Sequence, residues 1–176
     1  FALFVNIAVQ YAGFEKGERA IEIAHEIADE NEEMNALGQI ANILTIQKNP
    51  ELARTALNAI REDAQRTFAL ISLSDTSAAN GDKENATAFL DEASSLAEEV
   101  PQLVSRSSAY NALAFRYFKL GDPQKAQQAA DTNLATIVSI KDESSRVTAM
   151  TDLAKVFEDC GFEVAAEQKE TVQSLL

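Results

Sequence analysis

An internal repeat constrains this chain more than any other feature of its sequence. Five copies of one pattern begin at positions 1, 34, 67, 107 and 147. In every copy the fourth residue is large and apolar, the seventh is Ile or Leu, the eighth is Ala or Ser, and the twentieth is Ala. A fixed period of roughly 20–50 residues predicts a solenoid, a propeller or another stacked array.

Each copy is predicted to form two helices joined by a tight turn. In the fourth copy, apolar residues recur at positions 110, 113, 114, 117 and 118, which is the spacing of one helix face. Gly121 is then suited to end that helix, Asp122 to cap the next one, and Pro123 to occupy its first turn. Similar breaks recur in the other copies, at residues 13–17, 48–50, 80–82 and 160–162. We therefore expect ten helices in five antiparallel hairpins.

The spacing of the copies is uneven, because their starts lie 33, 33, 40 and 40 residues apart. Seven extra residues correspond to about two helical turns. They should lengthen the helices that flank Pro101 and Lys141, or enlarge the connections there. We expect Pro101 to open the helix that follows Val100, since a proline inside a helix would break it. The small eighth and twentieth residues should let the two helices of a hairpin approach closely.

The composition is that of a folded domain, since 46% of the 176 residues are hydrophobic. We expect one helical-repeat domain over residues 1–176, with copies at about 1–33, 34–66, 67–106, 107–146 and 147–176. Phe1 begins a copy without a polar cap, whereas the end repeats of a solenoid normally carry a polar outer face. We therefore expect the sequence to be a fragment of a longer chain.

The charge and the apolar runs exclude some classes of partner. The net charge is −13, which would repel nucleic acid and anionic lipid. The acidic residues indicate either a well-solvated surface or a basic protein partner. No apolar run approaches the roughly 18–20 residues that span a bilayer, so we expect no membrane insertion. The single cysteine, Cys160, excludes an internal disulfide and leaves the compartment open; we expect a soluble protein, with a cytoplasmic location favoured.

The repeat resembles the tetratricopeptide repeat (TPR), a family of helix pairs with a period of about 34 residues. The fourth copy carries the resemblance best, in YNALAFRYFKLGDPQKA, and the third follows in LISLSDTSAANGDKENA. The resemblance implies an all-α, right-handed α-solenoid (superhelix) of about five antiparallel helical hairpins. The chain departs from the family in two respects. The proline near the end of the second helix is missing, and two of the periods are 40 residues long.

Motifs that would support catalysis are absent from the sequence. It lacks a phosphate-binding loop, a dinucleotide fingerprint, paired zinc-binding cysteines and a nucleophile elbow. His25 lies at helical spacing from Glu22, Glu26 and Asp29, which could hold a metal, although a solvated helix face is the simpler interpretation. Cys160 and His25 could form a nucleophile–base pair, but they lie in the fifth and first hairpins. We therefore predict no catalytic residue, no metal site and no cofactor.

The TPR resemblance implies a concave surface lined by the first helix of each copy, at the second, fifth, ninth, twelfth and thirteenth places. The predicted peptide-binding groove contains Val5, Val9, Asn35, Asn42, Phe68, Ile71, Asp75, Asn111, Phe115, Phe118 and Lys119, with Gln39 at a neighbouring place. Apolar anchors would bury side chains of a partner, and amides would bind its backbone. The alternative is that the three phenylalanines pack between hairpins. The basic residues of the family's clamp for a peptide carboxylate are missing, which disfavours that ligand.

These observations predict a non-catalytic scaffold that binds a peptide or a partner protein. Two alternatives stay open. The chain could be a regulatory or substrate-recruiting domain of a larger enzyme, or a structural spacer that self-associates through the ends of the array.

Overall fold

The fold is all-α in the part of the chain that the computed structural model describes, residues 2–163 and residue 170. Nine helices and no strands occur in these residues: α1 Ala2–Gly13, α2 Gly17–His25, α3 Glu30–Ile46, α4 Pro50–Asn58, α5 Asp63–Ala79, α6 Lys83–Ala97, α7 Leu103–Leu120, α8 Pro123–Val138 and α9 Glu143–Cys160. The predicted all-α fold class is confirmed. Phe1, Ala166 and the predicted tenth helix lie outside the described residues. No described helix is both long enough and apolar enough to cross a membrane.

The chain divides into two compact units, Phe1–Ala93 and Ser94–Leu176, here called unit 1 and unit 2. In unit 1, α1 and α2 form one hairpin and α3 and α4 form the next. The first helices α1, α3 and α5 pack side by side in that order. In unit 2, α7 and α8 form a hairpin, and α9 packs against both. The alternation of first and second helices is the one that the repeat predicts.

The core of each unit is built from the repeated positions. The twentieth-place alanines Ala20, Ala53, Ala86 and Ala126 are all buried, as are Leu37, Leu70 and Tyr110 at the fourth place. Small residues at the twentieth place allow close approach of the two helices, and the large residues fill the space beside them. Phe4, at the fourth place of α1, differs from these residues because it is 46% exposed. Among the described helices of unit 1, α1 packs against α2 and α3.

A turn with a left-handed residue ends the first helix of every copy. These residues have φ between 56° and 87° and occupy the fifteenth place: Glu15, Lys48, Gly81, Gly121 and Gly161. The next residue donates its N–H to the carbonyl oxygen five residues back, as in the 2.9 Å bond from Asp122 to Tyr117. This hydrogen bond satisfies a carbonyl that the helix end would leave free. Asp122 then caps α8 by accepting from the Lys125 N–H, as predicted.

Lys48 provides a test of this turn, because an L-residue in the left-handed region is strained by its Cβ. We expect Lys48→Gly to raise the free energy of unfolding by about 0.5–1 kcal/mol, since glycine relieves this strain but gains entropy in the unfolded chain. Gly121→Ala is the matched control and should lower it by about 1 kcal/mol. No atom lies within 4 Å of a Cβ added at Gly121, so that cost comes from φ alone. Urea unfolding followed by circular dichroism measures both, and a less stable Lys48→Gly variant would contradict the assignment.

The longer copies differ from the shorter ones in their second helices. α2 and α4 have 9 residues each, whereas α6 has 15 and α8 has 16. The connections that follow these helices stay short, at residues 26–29, 59–62, 98–102 and 139–142. The extra residues therefore lengthen helices rather than loops. The prediction for Pro101 is wrong: α7 begins at Leu103, and Gln102 before it has an extended backbone and makes no side-chain capping hydrogen bond.

Candidate functional site

A shallow groove of about 310 Å³ lies between α3 and α5 in unit 1. Its lining consists of Met34, Asn35, Gly38, Gln39, Asn42, Ile60, Gln65, Phe68, Ala69 and Ser72, and we call it the α3–α5 groove. Three residues of the predicted site, Asn35, Asn42 and Phe68, lie in this lining together with the neighbouring Gln39. None of the ten lining residues is charged.

Asn42 joins the two helices beneath the groove. Its side-chain Nδ2 donates to Ser72 Oγ at 2.7 Å, and Thr76 Oγ1 donates to Asn42 Oδ1 at 2.6 Å. Hydrogen bonds of this kind between neighbouring helices fix their relative position. Asn42 is half-buried, and both the nitrogen and the oxygen of its carboxamide already have hydrogen-bond partners. Its main effect is therefore to position α3 against α5.

Carboxamide side chains, exposed at Asn35 and Gln39 and half-buried at Gln65, form the rim of the α3–α5 groove. Gln39 Nε2 donates to Asn35 Oδ1 at 3.2 Å within α3, and Gln65 Nε2 donates to Asn31 Oδ1 at 3.1 Å between α5 and α3. Each carboxamide carries two donor hydrogens and an acceptor oxygen with two lone pairs. The described contacts use only part of that capacity, which leaves the rim able to bind peptide groups.

The floor and walls of the groove are apolar. Met34 and Ile60 are buried beneath it, and Phe68 is 40% exposed. Gly38 and Ala69 face each other across the two helices, since a Cβ added at Gly38 would lie 3.8 Å from the Ala69 Cβ. Sequence reasoning missed Gly38, although a glycine in the middle of a 17-residue helix was a signal that could have revealed it.

The other predicted residues of unit 1 do not line this groove. Val5 and Ile71 are buried in the core, Val9 is half-buried on α1, and Asp75 is exposed on α5. Val5 and Ile71 share the fifth place with Gly38, and in α3 this place faces the neighbouring first helix. The two buried residues, Val5 and Ile71, therefore offer little apolar surface to a partner.

In unit 2 the predicted residues lie on α7, and two of them already have packing partners. Phe118 makes an edge-to-face contact with Phe162, with ring centroids 5.9 Å apart. Asn111 Oδ1 accepts a 2.7 Å hydrogen bond from Asn133 Nδ2 on α8. For Phe118 the packing interpretation is therefore favoured. Phe115 is half-buried, and the Nζ of the exposed Lys119 lies 5.1 Å from its ring centroid, within cation–π range.

A buried carboxylate connects three parts of unit 1. Glu33 is 6% exposed; its Oε1 lies 2.8 Å from His25 Nδ1, and its Oε2 lies 2.6 Å from an Arg61 nitrogen. Burial by itself raises the pKa of Glu33, but hydrogen bonds with His25 and Arg61 outweigh it, and the pKa of Glu33 is lowered overall. We call these three residues the Glu33 clamp.

The acidic residues that helical spacing places beside His25 have other partners. Glu22 and Glu26 both pair with Arg19, at 2.6 and 3.8 Å. Asp29 caps α3 by accepting from the N–H groups of Asn31 and Glu32. Within the described residues, no group of three or more His, Cys, Asp or Glu side chains is arranged to hold a metal ion.

Cys160 is the last residue of α9 and is buried. Burial raises the pKa of its thiol, and the neighbouring Asp159 adds to this shift. Because the thiolate is the reactive form of cysteine, this environment makes Cys160 a weak nucleophile.

A second concavity in unit 1, of about 320 Å³, lies where two turns stack. It is lined by Thr45, Lys48, Pro50, Ser77, Asn80, Asp82, Asn85 and Phe89. Asp82 accepts from both the side chain and the backbone N–H of Asn85, and these bonds lower its pKa. The carboxylate at this concavity is therefore engaged in capping α6.

No protein-family model and no curated protein matches the sequence. Two solved structures are similar in fold. Ton1535 from Thermococcus onnurineus NA1 is 18% identical, with a TM-score of 0.56 over 97% of this chain, which spans about half (52%) of that protein. The other is a variant of a candidate kinesin light chain from Podosopora anserina, described as having TPR-like repeats that are nearly identical to one another. Its sequence is 17% identical to this chain, with a TM-score of 0.54, and the match covers 99% of this chain and 92% of that one. The helix order, the turns and these likenesses together show that this chain has a TPR-like, all-α helical-repeat fold.

Proposed function

We propose that this chain is a non-catalytic helical-repeat module that binds a segment of a partner protein, and that the α3–α5 groove is a contact surface. The exposure of Phe68 in an uncharged groove carries this proposal. Covering a large aromatic side chain with a partner removes apolar surface from water and so favours binding. Aromatic residues are also enriched where proteins bind each other. The TPR-like fold supports the proposal, since helical arrays commonly use their inner surfaces for binding.

The carboxamide rim suits an extended segment of chain. Such a segment presents one N–H and one C=O per residue, and both need partners when they are buried. Gln39, Asn35 and Gln65 can each donate to a carbonyl and accept from an N–H.

The charge of unit 1 favours a partner with basic residues outside the groove. Residues 1–93 contain 7 Lys or Arg and 16 Asp or Glu, so this unit carries more of the acidic charge than the rest of the chain. Complementary charge mainly speeds association and excludes wrong partners, while burial in the groove provides affinity. Binding should therefore weaken as salt is raised.

Selection from a phage-displayed library of random 12-residue peptides tests the proposal. Peptides that bind should lose about tenfold in affinity to Phe68→Ala, since truncating a partly exposed anchor residue typically costs about 1–2 kcal/mol. Phe14→Ala is the matched control, because Phe14 is 72% exposed but lies in the turn after α1, outside the groove lining. Fluorescence anisotropy of the labelled peptides measures affinity, and circular dichroism confirms that both variants stay helical.

Two outcomes would count against this function. Selected peptides that bind Phe68→Ala as well as the parent chain would place the contact surface elsewhere. A selection that enriches nothing, while the chain self-associates as its concentration rises, would instead favour a structural spacer.

A further inference from the structure

Gly38 lies in the middle of α3, where its backbone is an ordinary helix. Glycine is less favourable there than any residue except proline, because it loses the most backbone freedom on folding. Its φ is not among the positive values of this chain, so the local conformation does not require glycine.

Packing between α3 and α5 does not require glycine either. A Cβ at Gly38 would lie 3.8 Å from the Ala69 Cβ and 4.0 Å from Ile60 Cδ1, which is ordinary van der Waals contact. Gly17 is a useful contrast, because a Cβ there would lie 2.7 Å from Leu44 Cδ2 and 3.0 Å from Leu52 Cδ1. A side chain at Gly17 would require Leu44 to shift, whereas Gly38 has room for one.

The space at Gly38 belongs to the α3–α5 groove. Gly38 and Ala69 form its floor, with Met34 and Ile60 buried beneath them and the partly exposed Phe68 beside them. Other copies carry larger residues at this fifth place: Val5, Ile71, Asn111 and Thr151. A comparable side chain at position 38 would occupy the groove, so the glycine keeps it open.

We propose that the floor formed by Gly38 and Ala69 accepts one large aliphatic side chain of the bound segment, of the size of leucine, isoleucine or methionine. This inference rests on the proposed function and names its anchor. The lining has no charged group, which would penalise a charged side chain on entry. A volume of about 310 Å³ is at the lower end for ligand sites, which suits one side chain with its adjoining backbone.

The test uses N-acetyl-leucine-N′-methylamide as the probe and N-acetyl-alanine-N′-methylamide as its control, titrated into ¹⁵N-labelled protein. We expect saturable chemical-shift changes at the backbone amides of Gly38 and Ala69 and at the side-chain amides of Gln39 and Gln65. The leucine compound should bind about tenfold more tightly, because it buries about three more carbon atoms in a partly open site.

Substitutions at Gly38 separate binding from folding. Gly38→Leu should reduce affinity for the leucine probe at least tenfold, because the new side chain occupies the pocket. Gly38→Ala should weaken binding by a smaller factor while raising the melting temperature, since alanine favours the helix. Gly13→Ala changes a glycine at the end of α1, with no atom within 4 Å of the added Cβ, and should leave binding unchanged.

The results distinguish failure of the anchor from failure of the function. If Gly38→Leu binds the leucine probe as tightly as the parent chain, the proposed pocket is wrong. Loss of library peptides in Phe68→Ala would in that case still support a binding role for the groove. If neither substitution affects the probe or the peptides, the pocket and the proposed contact surface both fail.

Discussion

Replacing Ala126 with leucine should lower the free energy of unfolding by about 1–3 kcal/mol. Ala126 is fully buried on α8, in the hairpin that α8 forms with α7. Its side chain is a single methyl group, and the added atoms of leucine would push the two helices apart or force strained side-chain conformations. The equivalent alanines of unit 1, Ala20 and Ala53, are buried in the same way.

Ala135→Leu is the matched control for this prediction. Ala135 lies on the same helix but is exposed, so its substitution should change stability by less than about 0.5 kcal/mol. Urea unfolding of both variants, followed by circular dichroism, gives the change in the free energy of unfolding for each. The dependence of that free energy on urea concentration should be the same in both variants. Equal stability of the two variants would show that the twentieth place is not where the helices of the hairpin meet most closely.

Loss of the Glu33 clamp should destabilise the chain by about 1.5–2 kcal/mol at neutral pH, the lower part of the range for hydrogen bonds to charged groups. The carboxylate is buried, but His25 and Arg61 are about half exposed and can be solvated when it is removed. We therefore expect Glu33→Gln to be less stable than the parent chain at pH 7, but well folded.

The pH dependence of this contribution follows from the lowered pKa of Glu33. The folded protein holds this proton less tightly than the unfolded chain, so the stabilisation is fully present above the usual glutamate pKa of 4.5. It is lost as the pH falls through the lower pKa of the folded state. The advantage of the parent chain over Glu33→Gln should therefore shrink as the pH is lowered from about 5 towards 3.

Urea unfolding at a series of pH values from 7 to 3 measures this difference. Glu30→Gln is the matched control, because Glu30 is an exposed glutamate in the same first turn of α3 and has the same favourable position at the helix end. Parallel pH profiles for Glu33→Gln and Glu30→Gln would show that the clamp contributes nothing specific. A greater advantage of the parent chain at low pH would contradict the sign of the pKa shift.

The helices and turns were predictable from sequence because their determinants are local. Gly121 and Asp122 act through their own backbone and their nearest neighbours, so their role can be identified from a few residues. Glu15 and Lys48 adopt the same left-handed turn without glycine. In those two copies the position of the break was predictable, but the residue that takes the strained conformation was not.

The Glu33 clamp was not predictable in the same way. Glu33 lies eight residues from His25 and 28 from Arg61, on different elements. Its burial depends on how those elements pack, whereas sequence spacing placed His25 beside acidic residues of its own helix. Contacts of this kind need the tertiary structure.

The candidate site stands between these two cases. Counting places within the repeat grouped Asn35, Asn42 and Phe68, and these three residues line one groove. The same counting did not distinguish solvent-facing positions from those that face a neighbouring helix, which is why Ile71 proved to be buried. It also did not identify Gly38 as a groove residue, because the space beside a glycine depends on the residues that surround it in the fold.

The lengthened second helices have a consequence for how such a chain can evolve. Seven residues turn a helix by nearly two full revolutions, with a drift of only about 20°. An insertion of this size therefore returns the buried face to its partner, as the 9-residue α4 and the 16-residue α8 illustrate. An insertion of five residues would rotate the following part of the helix by about 140° and turn polar side chains inward. Gains and losses in these helices should therefore be tolerated mainly when they amount to nearly whole turns, such as about 7, 11 or 18 residues, leaving the first helices and their groove free to specialise independently.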